Sequence, residues 1–451
     1  MSSEIFRQYD IRGVVDQDLT ETGVEQIGRA FASWVGEGPL VVGRDCRLHS
    51  ERLSKALLRG LARAGVCCID VGIVPTPTLY FALHHLSASG GVQITGSHNP
   101  PEYNGLKISR GTASLYGDGI QELRRRIEAG AFAPVGSGAI DSFDIGPAYL
   151  EAVTSRISMG PKRLRAVVDG GNGTAAPTAI PILRALGVEV VPLFAEMDGT
   201  FPNHHPDPTV EENLEDLRRA VASERADLGI AFDGDGDRIG VLDEKGQVLW
   251  GDRLMILFSR ALLEEVPGAT ILGEVKCSQT LYDEIARLGG QPVMWKAGHS
   301  LIKAKMAETH AELAGEMSGH IFFKHRWFGF DDATYTAARL VEILSHESRP
   351  LSELLLDVPP TYSTPELRVD CAEAMKGPLV AACVKRFRER GFEVIDVDGA
   401  RVLYGDGAWG LVRASNTTPI LVLRFEAKTE ARLREIRADF EAELARERTR
   451  L

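Results

Sequence analysis

The sequence predicts an α/β chain, with three related βαβαβ domains on mixed sheets followed by a smaller α+β domain. Three observations predict it. Apolar strand patterns alternate with amphipathic helix patterns through the first three quarters of the chain. The order strand, helix, strand, helix, strand recurs three times. At PPTYSTP, residues 359–365, that rhythm stops on a proline-rich stretch that reads as a linker. The boundaries this implies are residues 1–143, 144–247, 248–358 and 359–451.

The first unit opens on the apolar run PLVVGRD. A helix pattern follows from about Ser50, with Leu53, Leu57, Leu58 and Leu61 on one face. Then come the strand VCCIDVG, a short helix after Pro77 and the strand GVQIT. The second unit reads LRAVVDGGNG, a helix through Leu183, VEVVPLF, a helix around residues 214–221, and LGIAF. The third reads ATILGEV, a helix after Ser278, QPVMW, a helix after His299, and AELAGE. Repetition at this scale points to related domains side by side. Beyond the linker the chain offers a helix, short strands, the loop RASNTTP, the strand ILVLRFE and a charged helix from about Thr429.

Composition narrows the function. A chain of 451 residues is too long for one ordinary core. Hydrophobic content of 44% and charged content of 25% are those of a globular protein. The net charge is -12, from 51 basic and 63 acidic residues, which argues against a nucleic-acid binder. It admits a phosphorylated small substrate in a local basic cleft. The six cysteines form no paired framework, so a reducing cytoplasm and a role as small core residues are expected. The N-terminus lacks the apolar core of a signal peptide, and no apolar stretch is long enough to span a bilayer. No membrane partner is expected.

Each unit's last strand ends in an unusual loop: TGSHNP, DGDGDR and GEMSGH. Ligands of parallel α/β sheets sit beyond the carboxyl ends of strands, so the three loops are expected to share one cleft. In DGDGDR, Asp233, Asp235 and Asp237 alternate with glycines. Closely spaced carboxylates repel, so three together imply a divalent cation, and few ligands suit Mg²⁺. A polar turn and an EF-hand compete with this reading. The EF-hand fails because Arg238 stands where its glycine is required. Ser97 in TGSHNP has no Gly-x-Ser-x-Gly elbow, which removes support for hydrolase chemistry. A phosphoserine set against a cation would instead be a stored phosphoryl donor. GEMSGH offers Glu316 and Ser318 to sugar hydroxyls. RASNTTP sets Arg413 beside small donors, a phosphate cradle whose competing reading is a capped turn. NHHPDP, residues 203–208, contains two histidines near an aspartate; its flanking prolines favour a rigid loop over a zinc site.

With YDIRG, TGSHNPPEYNG, FDGDGDR, WKAGHS, GEMSGH and RASNTTP in this order, the sequence resembles the α-D-phosphohexomutase superfamily, in its bacterial phosphomannomutase/phosphoglucomutase branch. The resemblance covers essentially the whole chain. It implies a heart-shaped, four-domain enzyme with a central cleft. The four domains would supply, in order, the phosphoserine loop, the metal site, sugar recognition and a phosphate site. Ser97 would be the phosphoserine, and Asp233, Asp235 and Asp237 would hold one Mg²⁺ with the Ser97 phosphate as a further ligand. The reaction implied is reversible transfer between hexose 1-phosphate and 6-phosphate, on glucose and mannose, through a hexose 1,6-bisphosphate that also serves as activator.

The resemblance also distributes roles. Arg238 and Arg12 would act at the reacting phosphate, and His98 would shape the serine loop. Lys107 and His299 are candidates for general acid or base, with purely electrostatic support as the alternative for each. Glu316 and Ser318 would grip the 3- and 4-hydroxyls, with His320 and Gly298 shaping that site. The distal phosphate would sit on Arg413, Ser415, Asn416 and Thr417, with Tyr9 and Lys276 nearby. A monomer is expected. The rival readings are a phosphoglucosamine mutase, a Mg²⁺-dependent phosphatase and a non-catalytic sugar-phosphate-binding paralogue. The last would be favoured by loss of the serine or an aspartate, and neither is lost.

Overall fold

A computed structural model describes residues 2–415 and 418–450. Its first parallel strands are Leu40–Arg44, Cys68–Ile73 and Gly90–Ile94, joined by helices Ser50–Arg63 and Thr76–His85. Leu53, Leu57 and Leu61 recur at helical spacing and are buried together. Every residue of Gly90–Ile94 is buried, as expected for a strand covered on both faces.

The spatial order of these strands is third, first, second. The same order recurs in Leu228–Phe232, Arg165–Asp169 and Glu189–Leu193, and again in Leu313–Gly315, Thr270–Glu274 and Gln291–Trp295. In each sheet a further strand returns antiparallel along the third: Tyr103–Arg110, Ile239–Asp243 and Ile321–Phe323. The sheets are therefore mixed. The three motif loops are the connections between the third strand and its antiparallel return, the same topological position each time. Two more strands, Ile11–Val14 and Ile140–Ser142, pair at the two sides of the first sheet.

The last sheet is antiparallel throughout, with its longest strands Ala400–Gly405, Ala408–Ala414 and Ile420–Ala427 adjacent. Val412 and Phe425 face helices Glu373–Glu389 and Glu430–Arg450, whose Phe387 and Phe440 complete a core of their own. Trp409 and Leu411 point the other way, onto Val275 of the third unit. The short strand Tyr362–Ser363 pairs with Ile420–Ala427, so the proline-rich stretch already enters this sheet.

One hydrophobic cluster runs through the first three units, joining Phe81, Val168, Ile230 and Ile271. At its centre Trp327 stacks on Tyr335 at 4.4 Å between ring centroids, with Phe81 and Tyr149 around it. Asp332 caps helix Ala333–His346 and accepts from the Tyr149 hydroxyl at 2.8 Å. Among the described residues no helix is long and apolar enough to cross a membrane, and all six cysteines are unpaired.

Candidate active site

Ser97 lies in the loop between Gly90–Ile94 and Tyr103–Arg110, in a left-handed conformation, φ 48°. Its Oγ donates to Asp233 Oδ2 at 3.0 Å and lies 3.1 Å from His98 Nδ1. The loop is held from beneath by Arg47, which the sequence reading missed. The guanidinium donates to the carbonyls of Ser97 (2.8 Å), Asn99, Pro100 and Tyr103, and pairs with buried Asp45 at 3.3 Å. A Cβ on Gly96 would lie 2.5 Å from this guanidinium, so only glycine fits there. No local pattern marks Arg47; its four acceptors lie 50 to 56 residues away.

Asp233, Asp235 and Asp237 are fully buried, and one ligand atom from each lies within 4.8 Å of the others. Burial, with Asp237 and Asp235 beside it, pushes the Asp233 carboxyl well above the usual carboxylate range. Burial would raise Asp235 too, but Lys107 and the Thr76 hydroxyl hold it low. Asp235 Oδ1 and Asp237 Oδ1 are buried without a hydrogen-bond partner among the described residues. An all-oxygen, buried, electron-rich set with unsatisfied oxygens fits a hard divalent cation.

Lys107 donates to Asp235 Oδ2 at 2.8 Å and to Asp237 Oδ2. Burial works against its charge, yet the two carboxylates outweigh that and raise its pKa well above the ordinary value. In this arrangement its ammonium is held between two carboxylates. His299 and His98 differ. Burial, reinforced by Lys303 for one and Arg238 for the other, keeps both well below the ordinary histidine value, hence neutral.

Arg238 donates its backbone N–H to Asp233 Oδ1 and its Nε to His320 Nε2 at 2.9 Å. Arg12 reaches Asn99 Oδ1 at 2.6 Å and pairs with Asp10. Glu316 accepts from the Gly298 N–H at 2.5 Å and from the Ser318 hydroxyl at 3.0 Å, which ties GEMSGH to WKAGHS. Gly298 has φ 127°, and a Cβ there would lie 2.6 Å from the Tyr9 ring. The Tyr9 hydroxyl donates to Ala297 O at 2.9 Å.

On the far side, Arg413 Nε and the Ala297 N–H both donate to Asp398, at 2.9 and 3.1 Å. Lys276 donates to Glu366 at 2.5 Å and sits 3.3 Å from Glu274. The Ser415 hydroxyl lies 2.9 Å from the Thr418 hydroxyl. Asn416 and Thr417 lie outside the described residues. The site thus has two connected groups. Ser97, His98, Lys107, the aspartates, Arg238 and His320 form one. Tyr9, Gly298, Glu316, Ser318 and Arg413 form the other, with Lys276 at the junction with the last sheet. Asp398, which bridges WKAGHS and RASNTTP, was also unforeseen, as were Asp331 and Lys303 beneath His320.

Four family models match the chain in succession. They describe the phosphoglucomutase/phosphomannomutase alpha/beta/alpha domains I, II and III over residues 3–133, 147–246 and 250–362, and the C-terminal domain over residues 366–443. The chain belongs to the phosphoglucomutase/phosphomannomutase family. Within it, the chain is 49% identical over 447 residues to a phosphomannomutase/phosphoglucomutase of Pseudomonas aeruginosa, covering 98% of this chain and 96% of that protein. It is 44% identical over 448 residues to a phosphoglucomutase of Neisseria gonorrhoeae, covering 98% and 97%. A crystal structure of a phosphoglucomutase/phosphomannomutase family protein from Burkholderia thailandensis superposes with a TM-score of 0.92 at 44% identity, over 99% of this chain and 98% of that one. Family membership and the mixed-sheet architecture therefore agree with the expectation from the motifs. In this family member, the NHHPDP histidines belong to no metal-capable cluster among the described residues. His204 instead contacts Asp169 at 3.1 Å.

Proposed function

We propose that this phosphohexomutase interconverts the 1- and 6-phosphates of glucose and mannose through a phosphoserine at Ser97 and a hexose 1,6-bisphosphate. One observation carries the reading: Ser97 Oγ is 3.0 Å from Asp233, inside a buried cluster of three carboxylates backed by Lys107 and Arg238. That surrounding suits phosphoryl transfer from the serine.

The residues divide the work. A Mg²⁺ ion held by Asp233, Asp235 and Asp237 would neutralise the phosphate as it transfers. The sugar's free hydroxyl attacks phosphorus, the bond from phosphorus to Ser97 Oγ breaks, and the serine oxygen takes up a proton. Neutral His299 suits the proton acceptor for the attacking hydroxyl. Lys107, Arg12 and Arg238 offset charge, and His98 shapes the serine's surroundings. Glu316 and Ser318 grip the 3- and 4-hydroxyls, which glucose and mannose share. Arg413, Ser415, Asn416, Thr417, Tyr9 and Lys276 receive the phosphate that is not reacting. The bisphosphate turns over in the cleft and returns its other phosphate to Ser97, and added bisphosphate primes the enzyme. The six free cysteines support a cytoplasmic setting.

The test is a side-by-side turnover assay. Glucose 1-phosphate and mannose 1-phosphate are each offered with Mg²⁺ and a trace of the 1,6-bisphosphate, and 6-phosphate formation is followed. Comparable turnover of both, abolished by chelation, is expected. Turnover of one alone would place a filter near the 2-hydroxyl. Turnover of neither would overturn the assignment and direct the assay to glucosamine 1-phosphate.

A further inference from the structure

Beneath the serine and the aspartates lies a buried group that no motif contains. Asp331 is fully buried, just ahead of helix Ala333–His346. Only Oδ1 has a hydrogen-bond partner among the described residues; Oδ2 is buried without one and meets two imidazoles through charge contacts. Oδ1 accepts from Lys303 Nζ at 3.0 Å, while Oδ2 lies 3.0 Å from His320 Nδ1 and 3.7 Å from His299 Nδ1. The two imidazoles stack, with centroids 5.7 Å apart. On the other side of its ring, His320 Nε2 lies 2.9 Å from Arg238 Nε.

These contacts fix a tautomer. A guanidinium N–H only donates, so His320 Nε2 must carry a lone pair. The ring proton of neutral His320 is then on Nδ1, facing Asp331 Oδ2 and, at 3.5 Å, Asp237 Oδ1. We propose that Asp331 is a positioning residue: it holds His320 in the Nδ1–H form, and through His320 Nε2 it holds the Arg238 guanidinium in place for the reacting phosphate. This rests on the phosphohexomutase reading above and assigns a role within the same site.

Asp331→Asn makes the proposal sharp. The amide oxygen still accepts from Lys303. The amide NH₂ then faces His320 Nδ1 and favours a lone pair there, which moves the ring proton to Nε2. Two N–H groups would meet at Arg238 Nε, and the guanidinium would turn away. A residue that served only to neutralise Lys303 would have no such effect on His320.

The experiment compares wild type, Asp331→Asn, His320→Ala and the double variant, with kcat and KM measured on glucose 1-phosphate. Histidine ring nitrogens are followed by ¹⁵N NMR, and the His320 signals are assigned by their loss in His320→Ala. Asp331→Asn is expected to lower kcat by about 10²-fold or more, as loss of a tautomer-fixing carboxylate does elsewhere. KM should stay within about threefold, the pattern of an interaction made in the transition state. The double variant should be no slower than His320→Ala alone, and the His320 proton should move from Nδ1 to Nε2. A second pair, Asp331→Asn with Lys303→Met, removes the buried cation and keeps the measurement available if Asp331→Asn alone folds poorly. An unchanged tautomer, a kcat within twofold of wild type, or losses that multiply in the double variant would overturn the proposal. A wild type without mutase turnover would instead sink the phosphohexomutase reading, while the NMR shift alone would still decide the tautomer role.

Discussion

Ser97 sits in a conformation that a non-glycine residue avoids, and the surrounding contacts show what holds it there. A left-handed serine costs on the order of 1 kcal/mol or more. Arg47 offsets that cost by donating to four carbonyls of the loop, and Asp45 accepts from the Gly96 N–H at 3.0 Å. Two substitutions separate chemistry from scaffold. Ser97→Ala removes Oγ and leaves those contacts in place. It should lower kcat by about a thousandfold or more, since the phosphate carrier is gone, with an unchanged circular dichroism spectrum. Full residual activity would remove Ser97 from the mechanism. Arg47→Met does the reverse. It leaves the Asp45 carboxylate without its cation and takes the donor from four carbonyls, so a loss of about 3–5 kcal/mol is expected, the usual effect of breaking a buried pair. Denaturant unfolding measures it, and a loss below about 1 kcal/mol would contradict the role given to Arg47.

The parts that could be read from sequence were the local ones. The parallel strands are mostly apolar runs, and the loops carry their chemistry within six residues, so each announces itself. The shortest antiparallel strands are harder to read. Ile321–Phe323 has three residues and Ile11–Val14 four, too few to show a period. Arg47, Asp331 and Asp398 were illegible for another reason. Each is one charged residue whose partners come from distant sequence, and only the topology brings them together. Gly298 lies between these cases. WKAGHS reads as a motif, but the need for glycine comes from Tyr9, 289 residues earlier and packed against it. Gly298→Ala would meet both an unfavourable φ and a Cβ 2.6 Å from the Tyr9 ring. Because Gly298 N–H also anchors Glu316, a rise in KM of about tenfold is expected, along with a lower melting temperature. An unchanged KM would detach this loop from sugar binding.

At the scale of the whole molecule the four sheets are not equal partners. The first three share one apolar cluster, beside which the first keeps a core of its own, whereas the fourth has a separate core and meets the third through the small apolar cluster of Val275, Trp409 and Leu411 with polar contacts around it. Arg401 lies over the Trp409 ring at 3.7 Å and donates to the carbonyls of Val275 and Cys277. The Lys276–Glu366 pair crosses the same junction. A small interface of this kind can open without exposing a large core, and a hinge is expected just before Tyr362–Ser363, which already pairs in the fourth sheet. The pair also gives the junction a pH dependence. Lys276 depresses Glu366 from 4.5 to about 2. A depressed acid contributes stability that is complete above its unfolded pKa and lost as pH falls through the folded one, here between pH 4.5 and 2. The contribution is at most about 3 kcal/mol. The melting-temperature gap between wild type and Glu366→Gln, measured at neutral pH, should therefore shrink as pH falls below 4.5. Closure itself is read by small-angle scattering. Lys276 and Arg413 are the cations offered to the distal phosphate, and both now pair with carboxylates of the fourth unit, Glu366 and Asp398. A bound phosphate dianion would bridge these cations across the junction and draw the fourth unit toward the third, excluding water from the phosphoenzyme. With saturating glucose 6-phosphate at neutral pH, the radius of gyration, about 22 Å for a chain of this length, should fall by a few per cent. The same ligand should give no compaction in an Arg413→Ala variant. Equal radii with and without ligand in wild type would mean that the fourth unit is already fixed, and that the hinge serves only to connect.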